Sequence, residues 1–181
     1  MDTSLPVWGY RNPAELTFGN EDGWINFEYS NNNRTIKKTS SEGYGLGVIT
    51  SFVSGSNPAY VDFRIDNVKE KTGMIIGLTW ITEHDVVKDG ISGYRGNCVW
   101  SPTARKVMAG EGRGDVQDVS WPELNNGDII RVFYDANAEE FYVAVNGTTF
   151  EKISTKKLSP EHKNLRPFID FRIPEEQVTI V

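Results

Sequence analysis

The chain has 181 residues, a formal net charge of -6 and a pI near 5.0, with 38% apolar, 12% aromatic and 24% charged residues. That length suits one domain, 1–181, and the apolar share is enough for a core, which sets the chain apart from disordered sequences. The acidic balance speaks against nucleic acid or an anionic membrane as the main ligand, because both reward clustered Lys and Arg.

Cys98 is the single cysteine, which excludes an intramolecular disulfide and a zinc cluster built on several Cys ligands. A lone thiol suits a reducing compartment. The longest apolar stretch, residues 74–81, is far short of the ~18 residues of a membrane helix. The start, Met1-Asp2-Thr3-Ser4-Leu5-Pro6, has no basic stretch followed by an apolar run, so no signal peptide is read there. A cytoplasmic protein is the expectation that follows. The one dense basic run, Lys37-Lys38 with Arg34 nearby, reads as solvated surface.

Along the chain the dominant period is two, which predicts strands with one buried and one wetter face. Ile25, Phe27 and Tyr29 alternate with Trp24, Asn26 and Glu28. The polar tract 30–34 follows, then Gly43-Tyr44-Gly45-Leu46-Gly47-Val48. This glycine run lacks the Lys-Ser/Thr of a phosphate loop and no helix follows it, so it reads as the start of a strand or a bulge. Val61, Phe63 and Ile65 alternate with Tyr60, Asp62, Arg64 and Asp66. Residues 73–81 and 129–134 are apolar on both faces and read as covered central strands. Cys98, Val99 and Trp100 form a further strand.

Turns at 125–128, 135–140 and Asn146-Gly147 bracket the run Phe141, Val143, Val145. Ser159-Pro160-Glu161 is a helix start that Leu165 and Pro167 end within about two turns. Ile169, Phe171 and Ile173 then alternate with Asp170 and Arg172, and Val178 and Ile180 close the chain. Short strands and almost no helix predict an all-β, antiparallel sandwich. Its expected core is Phe27, Val48, Val61, Phe63, Ile75, Leu78, Val132, Phe141, Val143 and Ile180.

These segments, in this order, resemble an SPRY domain over about residues 14–181. Asn126-Gly127-Asp128-Ile129-Ile130-Arg131-Val132 resembles that family's Gly-Asp-hydrophobic strand, and Phe141-Tyr142-Val143-Ala144-Val145-Asn146-Gly147 its following strand and Asn-Gly turn. Leu165-Arg166-Pro167-Phe168-Ile169 is similar to its Leu-Tyr-Pro segment, and Val178-Thr179-Ile180 to its closing strand. Residues 59–65 and 74–78 take the places of two earlier strands. The chain departs from the pattern at Arg131, where Gly is usual, at Asp62, and in the Gly-rich stretch 103–115.

The resemblance implies a bent sandwich of two antiparallel sheets with a concanavalin A-like jelly-roll architecture. It also implies a protein-binding module whose loops and shallow concave face take a short segment of a partner. In the SPRY-SOCS box branch three places hold a peptide. Carried over, they fall on Asn31 and its neighbours, on Tyr94, and on Arg172-Ile173-Pro174, where that branch has Val-Trp-Gly.

Catalytic chemistry is poorly supported. His84 and His162 are the only histidines, and there is no Gly-x-Ser-x-Gly elbow. Cys98 beside Val99 and Trp100 reads as a small buried thiol, and His84 lies in a polar loop. Arg113-Gly114-Asp115 reads as a chance tripeptide, and the sequons at Asn33 and Asn146 as turn chemistry. Asp62 and Asp66 share one strand face about 13 Å apart, beyond either glycosidase geometry. Like Glu139-Glu140 and Glu175-Glu176, they read as solvated.

The expectation is therefore a non-enzymatic interaction module with no cofactor and no metal, whose partner is another protein or peptide. Asn31, Asn33, Arg34, Tyr94, Arg95, Arg172 and Ile173 are expected around one surface. Tyr94 and Arg95 between glycines read equally as interface anchors or as a core Tyr and a salt-bridged Arg, and the three Arg suit an acidic or amide-rich peptide. A carbohydrate-binding sandwich is the second reading, and a hydrolase on the sandwich the third.

Overall fold

The computed structural model describes residues 16–19, 26–41, 45–49, 59–69, 74–79, 98–101, 106–108, 117–118, 123–149, 153–154, 165–171 and 173–181. In chain order the strands are β1 (Phe27–Ser30), β2 (Thr35–Lys38), β3 (Gly45–Val48), β4 (Ala59–Asn67), β5 (Ile75–Thr79), β6 (Cys98–Ser101) and β7 (Lys106–Met108). They continue as β8 (Gln117–Asp118), β9 (Ile129–Asp135), β10 (Glu140–Val145), β11 (Thr148–Thr149), β12 (Ile153–Ser154), β13 (Arg166–Phe171) and β14 (Gln177–Ile180). The short helix expected after Ser159 lies outside the described residues.

One sheet has eight strands in the order β1-β2-β14-β4-β9-β10-β11, with β12 also paired to β10. The other has six, in the order β3-β13-β5-β6-β7-β8. Every pairing is antiparallel. The all-β sandwich expected from the period-two pattern is what forms.

The alternation sorts residues as a pleated strand must. Val61, Phe63 and Ile65 of β4 are buried between the sheets with Ile130, Val132, Phe141 and Val143 from β9 and β10. Ile76 and Leu78 of β5 and Ile169 and Phe171 of β13 meet them from the smaller sheet. Phe18 stacks on Phe63 with ring centroids 5.9 Å apart.

Of the expected core, all but Phe27 are buried. Phe27 is half-buried because β1 ends its sheet, although its ring still packs edge-on against Phe171 at 5.6 Å. Val48 and Ile75 are buried on the small sheet's far face, since their neighbours Gly47 and Ile76 face inward.

Gly47 has a packing reason. A Cβ there would lie 2.2 Å from the Ile36 Cδ1 methyl, so the glycine lets the two sheets approach at that point.

The motif residues 125–128 and 146–147 hold one another. The Gly127 N–H donates to Ile65 O at 2.7 Å from a left-handed conformation, φ 93°. Asp128 accepts from the Asn125 N–H and from Asn146 Nδ2, while Asn146 Oδ1 accepts from the Ile129 N–H. Two turns that are distant in sequence are thereby tied at one end of the large sheet.

Candidate functional site

The turn 31–34 joins β1 to β2. Asn31, Asn32 and Asn33 all adopt left-handed backbone, φ 52°, 53° and 60°. Asn tolerates this region better than most residues, which accounts for three in a row. The turn is fastened at several points: Arg34 N–H donates to Asn31 O, Phe18 N–H to Asn33 O, and Arg34 Nη2 to Ile180 O at 2.9 Å. Asn31 and Asn32 are exposed, whereas Asn33 and Arg34 are half-buried. Arg34 thus secures the turn to the last strand.

Ile173, half-buried in the turn after β13, donates its N–H to Glu176 Oε2 at 3.4 Å. It does not join the Asn turn. Lys38 N–H donates to Glu176 O and Glu175 N–H to Lys38 O at one end of β2, while Arg34 and Ile180 meet at the other. The two places are separated by the length of β2, about 10 Å at ~3.3 Å per residue. Asn31, Asn33 and Arg34 thus lie in one turn, and Ile173 lies near the other end of β2. Tyr94, Arg95 and Arg172 lie outside the described residues, as do His84 and His162.

Two expected solvated faces are partly buried. Asp62 and Asp66 do share a face, but Asp62 receives two 2.8 Å hydrogen bonds from Arg131 Nε and Nη2. Register explains the pair, since Asp62 on β4 stands directly opposite Arg131 on β9. The guanidinium also lies over the Tyr60 ring, 3.6 Å from its centroid. The two departures from the family pattern are therefore cross-strand partners. Asp66 accepts from Thr179, Gln177 and Arg64. Burial pushes its carboxyl pKa up, but these hydrogen bonds outweigh burial and hold it below the ordinary aspartate value.

Lys38 and Glu176, expected on the surface, are both fully buried, and so is Asp170. Lys38 follows Ile36 on the inward face of β2, where period two puts it between the sheets. Burial pulls its ammonium pKa down, and the Asp170 and Glu176 carboxylates push part of the way back. Lys37, on the opposite face, pairs with Glu175 at 2.8 Å. That hydrogen bond raises its pKa. A Lys-Lys doublet in a strand has one residue on each face, and that was the missed signal.

Tyr29 is half-buried and its hydroxyl, closed off from solvent, has no hydrogen-bond partner. Burial pushes its pKa up to about 12. Among the described residues no group of three or more His, Cys, Asp or Glu is placed to hold a metal ion.

No family model matches the sequence, and no curated protein matches it. Solved structures do. The SPRY domain of human HERC1 superposes with a TM-score of 0.62 at 17% identity, covering 93% of this chain and 95% of that one. A human SPRY domain gives 0.61 at 14% identity, covering 86% and 94%. The TRIM65 PSpry domain gives 0.62 at 11% identity, covering 92% and 90%. The chain has the SPRY fold.

Proposed function

We propose that this chain is a non-catalytic protein-interaction module that takes a short segment of a partner protein at loops of the sandwich. The observation that carries this is the SPRY fold, shared with solved SPRY domains over about nine-tenths of the chain. The binding region centres on the exposed amides of Asn31 and Asn32 with Asn33 beside them, and has Tyr94 and Arg95 as anchors. A surface held by this many backbone bonds costs little ordering entropy when a ligand docks on it. Arg34 helps by holding the turn, so its Nη2 donor is committed to Ile180 O rather than to a ligand. A reducing, cytoplasmic setting belongs to the same proposal and rests on the single cysteine.

The test is affinity capture from a lysate with partner identification, followed by affinity measurement on folded variants. Asn31→Ala, Tyr94→Ala and Arg95→Ala are expected to weaken binding, the Tyr and Arg changes by about 2 kcal/mol or more if they are anchors. Unchanged affinity in all three would place the site elsewhere. Binding to a glycan array without a protein partner would favour the sugar-binding sandwich instead.

A further inference from the structure

We propose that the edge of β1 that no other described strand pairs takes an extended segment of a partner protein as an added strand, with Lys or Arg opposite Glu28 and apolar residues opposite Phe27 and Tyr29. The proposal rests on the protein-interaction reading but not on Tyr94 or Arg95. β1 ends the large sheet, and among the described strands only β2 pairs with it.

Backbone phase decides which groups are free. Lys38 exchanges hydrogen bonds with Glu175 and Glu176, so Lys38 and Ile36 direct their backbone groups toward β14. Thr35 and Lys37 therefore direct theirs toward β1, where they meet Ser30 and Glu28. Thr39 N–H donating to Asn26 O keeps the same phase. The N–H and C=O groups of Phe27 and Tyr29 consequently point away from β2, along the edge that no other described strand pairs. Such a row is a template for strand addition, in which main-chain bonds supply affinity and alternate side chains supply selectivity.

Charge selects the occupant. The Glu28 side chain is 70% exposed, and Lys37, 3.8 Å away, sits closer to Glu175 at 2.8 Å. A cation directly across from Glu28 on the added strand would complete a cross-strand pair. A second copy of this chain is a poorer occupant, because antiparallel pairing of two β1 edges centred on Glu28 opposes two carboxylates. The net charge of -6 works against it as well. On the other face, Phe27 and Tyr29 pack against the core, and apolar residues of an added strand would continue that surface.

The experiment selects peptides from a displayed random library on the full chain and follows the bound state by amide hydrogen exchange. The selected peptides are expected to carry Lys or Arg flanked by apolar residues. Without peptide, the Phe27 and Tyr29 amides exchange faster than those of Glu28 and Ser30, and a bound peptide slows them at least about tenfold. Glu28→Lys, checked for folding, weakens binding about fivefold, and replacing the peptide's cation by Glu restores it. Peptides lost on Tyr94→Ala or Arg95→Ala that leave the Phe27 and Tyr29 amides unprotected would overturn the edge site while sustaining the loop site. Peptides that protect those amides and ignore Tyr94→Ala would do the reverse. Protection that rises with protein concentration alone would overturn it in favour of a second copy, and selection of no peptide would overturn both sites.

Discussion

Arg131 and Asp62 each depart from the pattern of the SPRY family, and each would be costly alone. An aspartate held largely out of water needs compensation, and Arg131 supplies two hydrogen bonds from the facing position on β9. Arg131→Ala is expected to destabilise the fold by about 3–5 kcal/mol, because the Asp62 carboxylate is left without that partner. The double variant with Asp62→Ala should cost less than the sum of the singles, and denaturant midpoints of all four proteins read the coupling. Tyr29 makes a prediction of the opposite kind. Its folded-state pKa lies above the ordinary 10.0, so the folded chain holds the phenol proton where the unfolded chain has released it. Stability from this group is complete below about pH 10 and is lost as pH rises toward about 12. Tyr29→Phe should therefore flatten the alkaline loss of stability and be close to neutral at pH 7, since the buried hydroxyl it removes has no partner. Urea titrations on both sides of pH 10 compare the two proteins.

Individual strands show why a local pattern predicts faces but not neighbours. β3 passes close to β2 only because position 47 lacks a side chain. Gly47→Ala should cost about 1–3 kcal/mol by overpacking against Ile36, and Ile36→Val, which removes the offending methyl, should restore part of the loss in the double variant. β2 combines an exposed-face Lys37 with a fully buried Lys38 within two consecutive residues. Lys38→Met removes the buried cation nearest the Glu176 carboxylate, and a lower unfolding free energy is expected. Lys37→Met, whose ion pairs are largely solvated, should change stability by less than about 1 kcal/mol. The contrast between neighbouring lysines, read by thermal or chemical unfolding, tests the assignment of faces along β2.

At the scale of the whole molecule, one core between two sheets joins residues from most of the chain. Phe63 and Phe141 are each fully buried there, and Phe→Ala at either should cost about 3–5 kcal/mol in chemical unfolding. The turn at 31–34 and the turn before Glu176 cap opposite ends of β2, so a partner reaching both would have to cross the sheet. Partner contact at the Asn turn and the adjacent β1 edge needs no such span.

The all-β class, most strand positions and nearly all of the expected core were legible in the sequence by itself. Period-two alternation is a local property, and a strand's pleat converts it directly into a buried face and a wetter one. The Asn and Gly turns were legible for a similar reason, since left-handed backbone selects those residues one at a time. What only the tertiary structure decided is which faces meet. Asp62 finds Arg131 through a cross-strand register between positions that are 69 residues apart. Lys38 and Glu176 are buried side by side because β2 pairs with β14, whose lead-in turn carries Glu176, an arrangement no local pattern carries. The ends of β2 likewise separate Asn31 from Ile173. Loops that look equivalent along the chain are sorted to one end of a sheet or the other by strand direction, and direction is fixed only when the strands pair.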